Sequence, residues 1–233
     1  AKVIYVLNRG GRYENFSKAY KGRYLGHQLG GLVHIFAEPV ASARNSISGE
    51  PFDGLPKYEP VMNAAGKIVE DGDYPLSLIT FKEIFGGHSR TASNYWGNYS
   101  LQPENFVLMN TRDAVEYGLR DGDLVRVVSP SSNGMLDLGN GHQYESKGKV
   151  KTLEGIGLGT VAISWHYGHW NAYGASERIE IDGRKIVPDG RRAKGLCPNS
   201  VMQRDDSVGR VGLTDPVSGS AAFFNTRVRL EKV

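Results

Sequence analysis

From Tyr74 onward the chain carries short strand-like runs of four to six residues, several bounded by glycine-containing turns: Leu76–Thr80, Phe106–Met109, Leu124–Val128, Lys149–Thr152, Thr160–Trp165 and Asn225–Leu230. Runs of that length match strands and fall short of helices. Six short strands leave many unpaired backbone groups at sheet edges, and a sheet with little helix to cover it removes those edges by closing on itself. One helix is legible. Asn110 can cap it, Asp113 lies in its first turn where negative charge suits the dipole, Ala114 and Val115 are read as facing inward, and Gly118 can supply the left-handed C-terminal cap. Asp121-Gly122 then turns the chain into the next strand, and Asp182-Gly183 joins Arg178–Ile181 to Lys185–Val187 as a two-residue hairpin. The order strand, short helix, strand, with so little helix elsewhere, favours a mainly β closed barrel over a doubly wound sheet.

The first 73 residues read differently. Val3–Leu7 and Leu32–Phe36 have strand character and Phe16–Tyr20 could form one helical turn, but Pro39, Pro51, Pro56 and Pro60 interrupt the stretch beyond them. With 30 glycines in 233 residues the chain can make many turns. Residues 1–73 are therefore expected to be an irregular extension packed on another body, and residues 74–233 the barrel. Pro130–Gly148, rich in Ser, Gly and Asn, is expected as a loop.

Composition and charge remove several functions. A net charge of +3 with interspersed signs lacks the concentrated basic face of a nucleic-acid partner. The single cysteine, Cys197, excludes a disulfide within the chain, a Cys-rich zinc module and an iron–sulfur cluster held by this chain alone, and reads as a buried small residue. No apolar run approaches the ~18 residues needed for direct membrane insertion. The opening AKVIYVLNRGG lacks the apolar stretch of a signal peptide, and Ala1 in place of Met suggests a processed chain or an excised piece. Gly155-Ile-Gly157-Leu-Gly159 precedes a strand instead of opening a helix after one, so it is a tight turn and not a dinucleotide fingerprint. His166 and His169 flank a strand end, where their spacing suits the lining of a pocket or rim better than a metal site. No nucleophile elbow or zinc-protease motif is present, and no catalytic or metal-ligating residue is assigned.

The densest chemistry comes after the first barrel strand: Thr80, Lys82 and Glu83, then His88-Ser89-Arg90-Thr91. Two cations, hydroxyls, a carboxylate and an imidazole within twelve residues can hold phosphate and a polar heterocycle through charge-assisted hydrogen bonds. The same composition is also that of a solvated polar loop. The residues alone leave both readings open.

The order of motifs resembles the C-terminal molybdopterin-dinucleotide-binding domain of the DMSO reductase family. It runs from Tyr74–Thr80 with its Lys82-Glu83 and Ser89-Arg90-Thr91 loop through Pro103–Asn110, the helix Asp113–Gly118, Leu119–Val128, Gly159–His166, Cys197-Pro-Asn199, Leu213–Gly219 and Phe224–Leu230. Tyr5–Gly11, Ala19–Gly22 and the segment through Asn45-Ser46 look like the part that precedes this domain in tetrathionate reductase catalytic subunits, whose relatives include arsenate-reducing enzymes. The resemblance implies a six-stranded double-psi β-barrel that closes over molybdopterin guanine dinucleotide, two copies of which hold molybdenum in the parent enzyme. It places Thr80, Lys82, Glu83, His88, Ser89, Arg90 and Thr91 in the cofactor loop, with Lys82 where the family usually has Arg. It puts Trp165 and His166 near the cofactor, Asn199 in contact with it, and Phe224 and Asn225 on the last cofactor-side segment. The family's iron–sulfur motif and metal-ligand segment lie N-terminal to such a domain. The chain is therefore expected to be a C-terminal portion of a catalytic subunit, inactive alone, that works on tetrathionate or a related sulfur or arsenic oxyanion. Its implied partners are the N-terminal remainder of that catalytic chain, together with a membrane anchor subunit and an iron–sulfur electron-transfer subunit, exported and held at the outer face of a membrane. A free-standing barrel subunit of a multi-subunit enzyme and a barrel-fold interaction module that binds no pterin are the alternatives.

Overall fold

The computed structural model describes residues 20–25, 34–69, 72–87, 91, 94–137, 143–168, 179–187, 189, 191, 194–209 and 211–233. Six strands close a barrel: β3 (Leu76–Phe81), β4 (Phe106–Met109), β5 (Leu124–Val128), β8 (Lys147–Thr152), β9 (Thr160–Ser164) and β14 (Thr226–Lys232). Around the barrel they run β14-β3-β9-β4-β8-β5 and back to β14. β3 pairs β9 in parallel with Ser77 opposite Thr160, and β4 pairs β8 in parallel with Phe106 opposite Lys149. The other four contacts are antiparallel. Two interlocked parallel pairs closed by antiparallel strands make the double-psi arrangement.

Alternation in the sequence decides which side chains fill this barrel. Leu76 and Leu78, Val107 and Met109, Val125 and Val127, Val161 and Ile163 are two apart on their strands and all fully buried, and Val150 and Val228 join them. Each such side chain contributes roughly 1.5–3 kcal/mol. That outweighs surface ion pairs worth ~0–1 kcal/mol each, so Arg126 with Glu145 and Glu231 trims the outside of a barrel already held from within.

The helix after β4 spans Thr111–Glu116 and is capped as its sequence requires, with the Asn110 side chain accepting from the Arg112 amide at 2.9 Å and Gly118 left-handed at φ 66°. Val115, expected to face inward, is 76% exposed. Neighbouring helical positions lie about 100° apart, and this short helix turns Ala114 and Asp113 toward the barrel instead. The Asp113 carboxylate accepts from the Gly159 amide at 2.7 Å, which ties the Gly155–Gly159 turn to the helix.

Several elements differ from expectation. Among the described residues two further α-helices occur, Glu38–Ala41 and Tyr95–Leu101. The loop expected over Pro130–Gly148 contains a hairpin, β6 (Met135–Asp137) with β7 (Gln143–Glu145), and β8 begins at Lys147. The strand expected at Leu32–Phe36 is not formed over its described part: His34–Phe36 are irregular and exposed, and among the described residues no strand pairs with their backbone. Val3–Leu7 lies outside the described residues, as does the Phe16–Tyr20 turn apart from Tyr20, which belongs to a two-residue hairpin, β1 (Tyr20–Lys21) with β2 (Tyr24–Leu25). The Asp182-Gly183 hairpin forms as read, β10 (Ile179–Ile181) with β11 (Arg184–Ile186), both turn residues having positive φ. A last short pair, β12 (Arg204–Asp205) with β13 (Val211–Gly212), precedes β14.

Within residues 34–69, Gly54 is buried beneath Phe36 and Ala41. Among the described residues none before Leu76 enters the core cluster. This stretch meets the rest at the Asp205 carboxylate, which accepts from the Ala64 amide at 2.6 Å, and lines clefts with Asp215–Val217 and with Ser77 and Arg227. It also borders a cleft of ≈ 520 Å³ shared with residues 214–225.

Candidate functional site

Strand directions bring one set of ends together. β3 and β9 are parallel and finish at the same rim, and the antiparallel partners β4 and β14 begin there. This rim carries Thr80 and Lys82 at the end of β3, Trp165 and His166 after β9, and Phe224 and Asn225 before β14. The single-turn helix Pro198–Val201 reaches the same end, because Ser200 Oγ lies 2.6 Å from Ser146 Oγ, just before β8, and β8 runs parallel to β4. Residues far apart in the chain thus share one rim.

Their individual settings differ. Thr80 is half-buried opposite Ile163. Lys82 is exposed, while Glu83 is half-buried and accepts from Gln102 Nε2 at 3.2 Å. Thr91 closes the loop: its hydroxyl accepts from the Gly87 amide at 3.1 Å and its carbonyl from Asn98 Nδ2 at 2.9 Å. His88, Ser89 and Arg90 lie outside the described residues. Trp165 is half-buried, its amide donating to the Phe81 carbonyl at 3.2 Å, which continues the β3–β9 ladder into the rim. Asn199 is exposed on its helical turn, Phe224 is exposed and Asn225 half-buried, the last two also lining the cleft beside the extension.

His166 is only 1% exposed, its ring edge-on to Phe85 at 6.1 Å between centroids and tilted against Tyr167 at 4.6 Å. Gly86 lies on that ring, and a Cβ there would sit 2.7 Å from Nδ1 and closer still to two other ring atoms. Tyr167 donates from its hydroxyl to the Gln102 carbonyl at 2.8 Å. Burial, aided by the Glu83 charge and opposed by the Gln102 bond, pushes the Tyr167 hydroxyl up to about 12. Tyr167 is thus a neutral donor at physiological pH, and Gln102 passes its anchorage to Glu83. Burial likewise raises the Cys197 thiol, against the pull of the Asn199 and Ser200 amides. Cys197 is half-buried, less enclosed than the sequence suggests.

Sequence reasoning missed Asn105, Gln102 and Tyr167. Asn105 lies within the Pro103–Asn110 motif, but its role depends on residues 59 and 91 positions away. No local pattern encodes that. On this rim Lys82 is a cation, Glu83 an acceptor, and Asn199 and Asn225 carry amides that can both donate and accept, the side-chain types that bind phosphate and polar heterocycles. Among the described residues no cluster of side chains could ligate a metal ion.

Comparison with known proteins gives the same direction. Residues 76–223 match the family model described as "Molydopterin dinucleotide binding domain". The chain is 44% identical over its whole length to a selenate reductase subunit of Mesobacillus selenatarsenatis, covering 22% of that protein. It is 27% identical, again over its whole length and 22% of the relative, to a tetrathionate reductase subunit of Salmonella typhimurium. Over 77% of its length it is 30% identical to the arsenate respiratory reductase molybdopterin-containing subunit of a Shewanella species, covering 18% of that protein. The chain spans about a fifth of the length of these relatives. The expected likeness to tetrathionate reductases is present, at lower identity than that to the selenate reductase.

Proposed function

The chain belongs to the molydopterin dinucleotide binding domain family of the DMSO reductase family molybdoenzymes, and from that premise we propose that it is the C-terminal cofactor-holding part of a catalytic subunit that reduces an oxyanion of selenium, sulfur or arsenic. The family match over the barrel carries this reading. The convergence of Lys82, Glu83, Trp165, Asn199 and Asn225 on one rim supports it. The cofactor proposed is molybdopterin guanine dinucleotide, in its bis form with molybdenum. When bound, that group supplies electron transfer and oxygen-atom removal, or cleavage of an S–S bond in the case of tetrathionate. The work of this chain is to hold and orient. Lys82 offers a point charge to a phosphate, Glu83 accepts from amino groups while Gln102 holds it, and Asn199 both donates and accepts. Arg90, with His88, Ser89 and Thr91 beside it, is proposed to complete the loop's contribution.

The rest of the catalytic subunit is the first partner, supplying the opposing wall of the site. A membrane anchor and an iron–sulfur subunit are proposed beside it, with the assembly exported and held at the outer face of the membrane. The test uses the full-length subunit. Lys82→Ala and Asn199→Ala are introduced separately, molybdenum per mole of protein is measured, and reduction of selenate, tetrathionate and arsenate is assayed with reduced viologen. Loss of a charge-assisted bond is worth about 1.5–3 kcal/mol, so occupancy or activity should fall about ten- to a hundredfold. Native occupancy and activity in both variants would refute the reading, and the preferred oxyanion in the native panel identifies the substrate.

A further inference from the structure

Asn105, directly before β4, is 2% exposed and commits its whole side chain to backbone. Its amide nitrogen donates to the Ser164 carbonyl at 2.7 Å and to the Leu196 carbonyl at 2.7 Å, and its oxygen accepts from the Leu196 amide at 2.8 Å. Ser164 is followed at once by Trp165 and His166, and Leu196 by Cys197, Pro198 and Asn199. Two segments that both carry candidate cofactor contacts are therefore fastened to one amide. The approach is close enough to demand glycine on both sides. Gly168 and Gly195 have φ of 73° and 89°, a Cβ at Gly168 would land on the Cys197 amide and 2.6 Å from the Leu196 carbonyl carbon, and a Cβ at Gly195 would come 2.5 Å from Asn105 Oδ1. A further bond, the Gly168 amide to the Lys194 carbonyl at 3.1 Å, runs alongside.

We infer that Asn105 is a positioning residue for the cofactor: it acts through the Leu196 backbone to set Asn199 against Trp165, so that the two segments meet the cofactor as one body. The inference rests on the proposed cofactor reading of the rim and adds the device that holds it. Asparagine fits because the site needs two donors and one acceptor within a single planar group. Aspartate would keep the Leu196 amide bond and set a negative oxygen against two carbonyls.

Cys197, the chain's one thiol, gives a local reading of the clamp. Half-buried beside Leu196, with its thiol pushed up by burial, it should react slowly with a disulfide reagent in the native chain. In Asn105→Ala it should react at least about tenfold faster, since the lost bonds held its segment in place. Gly195→Ala attacks the same clamp from the other side and serves if Asn105→Ala folds poorly. In the full-length subunit, molybdenum occupancy of folded protein should fall several-fold in either variant. The Asn105→Ala/Asn199→Ala double variant should lose little more than Asn199→Ala alone, because both changes act through one contact, whereas general destabilisation would add. Unchanged Cys197 reactivity in both clamp variants overturns the inference. So does native occupancy in the clamp variants when Asn199→Ala lowers it, and the rim reading then stands. If Asn199→Ala and the clamp variants all keep native occupancy, the rim reading fails and the inference fails with it.

Discussion

Replacing Gly86 by alanine tests the packing of the rim. The new Cβ would lie 2.7 Å from His166 Nδ1, with Cε1 and Nε2 closer, where ordinary contacts need about 3.5–4.0 Å. The imidazole would have to shift by roughly 1 Å to reach that separation. It has little room to do so, with Phe85 at its edge, Tyr167 against its face and almost no exposed surface. The backbone is also held, because the Gly86 amide donates to the Glu83 carbonyl at 2.9 Å. Overpacking of this kind costs about 1–3 kcal/mol. At the middle of that range the melting temperature of a chain this long falls by ~4–8 °C. Thermal denaturation followed by circular dichroism measures it, and the His166 ring signals in an NMR spectrum should move. The decisive comparison is the double variant: with His166→Ala the added methyl finds space, so Gly86→Ala/His166→Ala should melt no lower than His166→Ala alone. A native melting temperature in Gly86→Ala, or a double variant in which the two losses add, would refute this account of the packing.

Asp205 should link stability to pH. Burial pushes its carboxyl up, but the bonds from the Ser207 hydroxyl and the Ala64 and Ser207 amides outweigh burial and hold it below the usual carboxylate range. A lowered folded pKa gives stability that is present above the unfolded value near ~3.9 and is lost as pH falls through the folded value. The gap in melting temperature between the native chain and Asp205→Asn should therefore be wide at neutral pH and shrink below about pH 4. Asn110→Ala removes the cap on Arg112 and the 2.7 Å bond to the Ile156 carbonyl, and should cost about 2 kcal/mol by urea denaturation; Val115→Ala on the same helix should cost under ~0.5 kcal/mol. A chain beginning at Asp73 should still show a cooperative melt, because the core cluster starts at Leu76, and loss of that transition would make the extension part of the barrel.

What the sequence revealed was what local rules encode. Short runs at Leu76–Thr80, Leu124–Val128 and Thr160–Trp165 marked the strands, and alternation in the middle of Leu124–Val128 matched its burial pattern. Asn110, Gly118 and Asp182-Gly183 marked a cap, a helix end and a hairpin, each through its own backbone requirement. Tyr95–Leu101 was not legible, since Tyr-Trp-Gly-Asn-Tyr-Ser-Leu has weak helix propensity and no apolar period, and its signal is the Asn94 side chain accepting from the Gly97 amide. The β6–β7 hairpin was hidden because two three-residue strands lack room to show alternation. At the rim, residue types left a ligand-holding loop and a solvated polar loop both open, and the links from Tyr167 through Gln102 to Glu83 and from Asn105 to Leu196 exist only once the barrel has brought distant segments together. Shared strand polarity, and not proximity in sequence, collects Lys82, Trp165 and Asn225 at one end.

The route by which the barrel closes also sets when it can fold. β14 is hydrogen-bonded on one side to β3 and on the other to β5, with Thr226 opposite Leu78 and Leu230 opposite Val127. Each parallel pair, too, joins strands with much chain between them, Ser77 to Thr160 and Phe106 to Lys149. Such pairings are entropically slow to form, and until β14 arrives β3 and β5 present open edges over an unsealed apolar interior. During synthesis those edges are exposed while the intervening residues are made, the interval in which a half-built sheet aggregates or needs a chaperone. Slowing translation between β9 and β14 should therefore lower soluble yield, and substitutions that weaken β14 should do more harm to a nascent chain than their effect on the finished barrel would indicate.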